Sequence, residues 1–178
     1  MRAAPLAVTA LAAALLLTAC DDGGDSSADR ASASPKSGSA CALGTVDLEV
    51  GPANVAPAAG DTGNIPVTLT NQSAPCTLEG FPAVDLKASD STVGLAEDKA
   101  AQPQKLTLAK GDTASFTITY VRAEPGAAGS LDVRTLGIAL PGDGTRKSYK
   151  WSYGPVQGKN GTADALNASV SAFAQAGD

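Results

Sequence analysis

The chain has 178 residues, with 13 Lys and Arg, 18 Asp and Glu, no His, 3 Cys, 3 Phe, 3 Tyr and 1 Trp. At 43% hydrophobic residues it can build a core, and its length suits one ordinary domain, so neither a wholly disordered chain nor a second catalytic domain fits. The lack of His removes the commonest general base, triad base and metal ligand together, and a net charge of −5 without clustered Lys or Arg argues against nucleic acid.

At the N-terminus Arg2 precedes an apolar stretch from Leu6 to Leu17, the length and composition of a signal-peptide hydrophobic region. A spanning helix needs about 20 apolar residues, and here Asp21, Asp22 and Asp25 follow at once. The segment Leu17-Thr18-Ala19-Cys20 resembles the bacterial lipobox, which implies cleavage after Ala19 and a diacylglyceryl group on Cys20. An ordinary secretory leader would instead leave Cys20 as a free thiol. Residues 1–19 are therefore expected to be a lipoprotein signal peptide. The expected membrane partner is reached through lipidated Cys20, and the protein is expected on the outer face of the cytoplasmic membrane. One acyl chain holds only marginally, whereas two anchor stably.

Residues 20–40 comprise that cysteine and a Ser-, Asp- and Gly-rich run without Val, Ile, Leu, Met or aromatic side chains. Such a segment buries too little apolar area to offset chain entropy, so it is expected to be a disordered tether with a span of about 25 Å. Its Asp cluster lacks the alternating ligands, Gly and Glu of a calcium loop, and no metal or cofactor is expected.

From Leu43 the hydrophobic period becomes two. Val46, Leu48 and Val50 alternate with polar residues, then Ile65, Val67 and Leu69, then Val84 and Leu86. The pattern returns at Val93 and Leu95, Leu106 and Leu108, Phe116 to Tyr120, Leu131 and Val133, and Leu136 to Leu140. Turn residues separate the runs: Gly51-Pro52, Gly60 to Gly63, Gly80 with Pro82, Gly111-Asp112, Pro125-Gly126 and Pro141 to Gly144. The expectation is an all-β domain over residues 41–156, an immunoglobulin-like antiparallel β-sandwich of about seven to nine strands. Cys41 precedes the first strand and Cys76 follows the second, so antiparallel pairing puts both at one end. A disulfide is expected there, whereas a metal-binding or reactive thiol pair lacks both Cys-x-x-Cys spacing and His.

Asn71, the segment Cys76-Thr77-Leu78-Glu79-Gly80-Phe81-Pro82-Ala83-Val84-Asp85-Leu86, and Leu108-Ala109-Lys110-Gly111-Asp112-Thr113-Ala114 together resemble domain of unknown function 4232. That family occurs in exported proteins and lipoproteins of actinobacteria. The resemblance implies an immunoglobulin-like fold and no known activity. From the residues themselves, Gly80 is expected at positive φ, Pro82 as a turn stiffener, and Asn71 with its amide bonded to turn backbone.

The run Lys147 to Tyr153 reads as a last strand with Tyr149, Trp151 and Tyr153 on one face. That face either closes the core, with the Trp151 indole N–H bonded to backbone, or forms an exposed platform for a sugar polymer or partner protein. The core reading is favoured, and the three aromatics are the candidate binding residues. Residues 157–178 admit a short helix through Leu166, Val170 and Phe173, or an alternating strand. Asp47, Glu49, Asp85 and Asp132 fall on polar strand faces, where solvated charge explains them better than a hydrolase acid pair. The expected function is a non-enzymatic envelope module binding an unidentified envelope protein or polymer, with a spacer role as the alternative. Loops 51–63, 88–92 and 141–146 are the recognition candidates.

Overall fold

The computed structural model describes residues 38–54, 56–100 and 102–176. The expected leader, Cys20 and the expected tether as far as residue 37 lie outside the described residues. Fifteen short strands follow in order: β1 (Val46–Val50), β2 (Thr62–Asn71), β3 (Cys76–Leu78), β4 (Ala83–Lys87), β5 (Thr92–Gly94), β6 (Ala96–Glu97), β7 (Leu106–Leu108), β8 (Thr113–Val121), β9 (Ser130–Leu131), β10 (Thr135–Ala139), β11 (Lys147–Lys150), β12 (Val156–Lys159), β13 (Thr162–Leu166), β14 (Ala168–Val170) and β15 (Ala174–Gln175). The described part is all-β, as the alternation predicts. The extra strands are pieces of two to five residues in stretches too short to show a period.

The largest sheet runs β1-β2-β8-β14-β6, with β15 continuing along the edge of β8 that β14 begins. A second sheet runs β11-β10-β4-β5, and smaller ones are β13-β12-β9 and β3-β7. Neighbours are antiparallel except β6, which lies parallel to β14. Alternate residues of the two larger sheets point into one hydrophobic core: Val46 and Leu48 of β1, Ile65, Val67 and Leu69 of β2, Phe116, Ile118 and Tyr120 of β8, Val84 and Leu86 of β4, and Leu136 and Ile138 of β10. Period-two alternation is what lets a strand bury one face and wet the other.

Pro66 sits inside the ten-residue β2, where proline is normally excluded. It is tolerated because of its register. The Gly51 N–H donates to the Pro66 carbonyl (2.9 Å), so the missing Pro66 N–H faces the chain just beyond the end of β1 rather than the β8 ladder. At the other end of β2, Asn71 is fully buried and fully bonded. Its amide donates to the carbonyls of Ala74 and Leu108 (3.0 Å each) and its side-chain oxygen accepts from Ser73 N–H (3.0 Å). Gly80 takes the expected positive φ, 90°.

Residues 157–175 are not a helix. They form β12 to β15, and Ser171 continues the ladder between β14 and β15 through Ser171 N–H to Thr117 O (3.0 Å) and Thr117 N–H to Ser171 Oγ (2.9 Å). This side-chain rung shifts the alternation, so Phe173 turns inward and meets Phe116 edge-on at 5.7 Å. Pairing also begins before residue 41, inside the segment expected to be a tether. Thr77 N–H donates to Ser39 O (3.0 Å) and Cys41 N–H to Thr77 O (2.9 Å), so the chain is already paired beside β3 before Cys41.

Candidate functional site

The aromatic run is shorter as a strand than expected, because β11 ends at Lys150. Trp151 turns into the core at 4% exposure, its indole N–H donating to Gly154 O (2.6 Å). Its ring stands edge-on to Tyr120 (5.2 Å) and Tyr153 (4.9 Å), and Tyr120 donates its hydroxyl to Tyr153 O (3.1 Å). Burial pushes the Tyr120 hydroxyl above its ordinary pKa of 10.0. Tyr149 is half-buried and donates to Leu48 O (3.1 Å), which faces away from β2, so it covers part of the free edge of β1. Trp151 therefore offers no open ring for stacking, and the three aromatics do not form a platform.

Cys41 and Cys76 are joined by a disulfide, with Cα atoms 4.9 Å apart and both residues buried. The geometry follows from the antiparallel β1–β2 pair, in which Val46 faces Asn71 and brings the preceding and following segments together. Leu43, just beyond, donates its N–H to Asp143 Oδ2 (2.6 Å), and Asp143 Oδ1 accepts from Thr145 N–H (2.9 Å) and Oγ1 (2.7 Å). The Thr145 hydroxyl first, then the backbone donors, hold the Asp143 carboxyl below its ordinary 3.8. The 141–146 loop is thus fixed against the domain entrance. In the 51–63 loop, Arg122 donates to the carbonyls of Ala56 (2.9 Å) and Pro57 (3.2 Å).

A polar concavity lies on the outer face of the β11-β10-β4-β5 sheet. It is a hollow of about 440 Å³ lined by Asp85, Lys87, Thr92, Thr135, Gly137, Arg146 and Ser148. Register explains its shape. Gly94, Asp85, Gly137 and Ser148 lie in one row across four strands, and Thr92, Lys87, Thr135 and Lys150 in the next. Asp85 is therefore flanked by two residues without side chains. A Cβ on Gly137 would lie 2.7 Å from the Asp85 carboxylate, so glycine there makes room for that group. Arg146 reaches from the end of the 141–146 loop to form an ion pair with Asp85, whose side chain is 16% exposed. The hollow thus draws on two of the expected recognition loops, through Thr92 and Arg146.

The family model described as domain of unknown function (DUF4232) matches residues 41–174. The chain belongs to this family. Comparison with curated proteins finds no match. The DUF4232 match runs through β14 into β15, where the expected domain ended at residue 156. The reason is physical: β14 and β15 close one edge of β8, and Val170 and Phe173 complete its core.

The acidic residues of this DUF4232 domain are spread out. Asp47 lies 3.7 Å from Lys147 and Asp132 3.5 Å from Arg134, all exposed, while Asp85 is met by Arg146. Among the described residues, no group of three or more His, Cys, Asp or Glu is placed to hold a metal ion.

Proposed function

We propose that this protein is a lipid-anchored envelope protein presenting a non-enzymatic, immunoglobulin-like β-sandwich as a binding module. The observation that carries the anchoring is the order of parts: Leu17-Thr18-Ala19-Cys20, then a spacer without large apolar residues, then a domain whose first pairing is at Ser39. A lipid on Cys20 leaves a tether of about 18 residues, with a span of about 25 Å, enough to lift the domain clear of headgroups. The shared core between the inner faces of the two larger sheets supports the sandwich reading. Binding is favoured over catalysis because Asp85, a half-buried carboxylate facing a concavity, is ion-paired with Arg146 and has no second acid beside it in the lining of that hollow.

Cys20→Ala tests the anchor. The wild-type chain is expected in the detergent phase on phase partitioning and the variant in the culture fluid or as uncleaved precursor. Unchanged membrane partitioning of the variant would overturn the lipoprotein reading.

A further inference from the structure

We propose that the hollow on the outer face of the β11-β10-β4-β5 sheet is a binding site for a phosphate group carried on a small hydroxylated backbone. The proposal deepens the binding-module reading and is independent of the lipid anchor.

Three features converge. First, Arg146 is pre-oriented: one end of its guanidinium is fixed by the ion pair with Asp85, and its side chain remains 44% exposed. A guanidinium has five donors in a rigid fork, so pairing with one carboxylate oxygen leaves donors for an oxyanion, and their direction is set before binding. The loop that delivers it is itself held by Asp143 to Leu43 and Thr145.

Second, Lys87 projects from the same face of β4 two residues beyond Asp85, about 7 Å along the strand. Among the described residues Lys87 takes part in no ion pair, while Asp85 already has its counter-charge. The hollow therefore carries one uncompensated positive charge in a chain of net charge −5. Third, Thr92, Thr135 and Ser148 add three hydroxyl-bearing side chains to the lining. Hydroxyl donors beside Arg and Lys suit phosphate oxygens, and the same hydroxyls can exchange hydrogen bonds with those of a polyol. At about 440 Å³ the hollow is of the size that small ligands occupy. An aromatic side chain is absent from its lining, which disfavours an uncharged sugar held by stacking.

The test is titration of the ¹⁵N-labelled full chain in neutral detergent with inorganic phosphate, sn-glycerol 3-phosphate and, separately, phosphatidylglycerol vesicles. Expected are saturable amide shifts at Gly137, Ser148 and Thr135 with the two soluble phosphates, tighter for glycerol phosphate and weakened by salt. Lys87→Gln, at an exposed position, is expected to stay folded and weaken binding about tenfold. Because Arg146→Gln alone strands the Asp85 carboxylate, the paired variant Asp85→Asn with Arg146→Gln accompanies it, and it should fold and lose the shifts. Binding unaffected by Lys87→Gln, shifts only with vesicles, or no saturation by either soluble phosphate overturns the site. Those results leave the anchoring test of Cys20 untouched, so the two failures are distinguishable.

Discussion

Trp151→Ala separates a structural indole from a recognition indole. Truncation removes most of a side chain that buries about 150 to 250 Å², worth roughly 4 to 6 kcal/mol at 25 cal/mol per Å². Partial collapse of the neighbours brings the expected loss to about 3 to 5 kcal/mol, the usual range for a buried Trp. Two specific losses hold it at the upper end: the edge-on contacts with Tyr120 and Tyr153, and the hydrogen bond to Gly154 O, which is left without that donor. Domains of this kind have about 5 to 15 kcal/mol in total, so the variant is expected near its unfolding limit. Trp151→Phe keeps a ring but no N–H and should lose less, about 1 to 3 kcal/mol. Urea denaturation followed by far-ultraviolet circular dichroism measures both, since the fluorophore is gone. A Trp151→Ala variant within about 1 kcal/mol of wild type would refute the core assignment.

Other outcomes follow from single contacts. Gly63 faces Tyr120 across the β2–β8 pair, and a Cβ there would sit 2.4 to 2.8 Å from the ring and hydroxyl, so Gly63→Ala should destabilise by about 1 to 3 kcal/mol in a thermal melt. A neutral or stabilising result would mean that the ring moves freely. Non-reducing mass spectrometry should find Cys41 linked to Cys76, and removing the bond with paired Ser substitutions should lower stability by about 3 to 4 kcal/mol for a sequence separation of 35. An unchanged melting temperature would show that the bond adds nothing. Asp143 has a lowered pKa, so its stabilising contribution is present above about 3.8 and is lost as the pH falls through its folded value. Amide exchange at Leu43 should accelerate there in wild type, while Asp143→Asn should remove that pH step. Persistence of the step in the variant assigns it to another carboxylate.

The parts of the fold legible in the sequence are those where a strand is long enough to repeat its period. In β1, β2, β4 and β8 alternation names the buried residues individually, because each strand has one wet face and one dry face. Asn71 was legible through turn chemistry, and Cys41 with Cys76 through strand direction. The C-terminal strands were not. The register against β8 slips by one residue between Val170 and Ala174, which moves Phe173 from the outward to the inward set, so Leu166, Val170 and Phe173 stand four and three residues apart and imitate a helical face. A side chain that substitutes for a backbone rung leaves no periodic trace. Trp151 was legible as core through its need for a polar partner, but the end of β11 was not. The turn from Trp151 to Gly154 depends on Gly154 at φ 86° and on the indole bond that closes it.

The hollow illustrates a different barrier. Asp85 alternates correctly with Val84 and Leu86, and from one strand alone it is an ordinary solvated carboxylate. What sets it apart is lateral: Gly94 on one side, Gly137 on the other and Arg146 from a loop 61 residues away in sequence. None of these neighbours is visible until the register of four strands is fixed, because a shift of one residue would place Val93 or Leu136 beside Asp85 and turn the charge inward. The same constraint works in the other direction. The buried set Val84, Leu86, Val93, Leu136 and Ile138 fixes that register from the core side. Apolar packing on the inner face therefore determines the polar arrangement on the outer face, and the Asp85–Arg146 pair is positioned by side chains on the opposite face of the sheet.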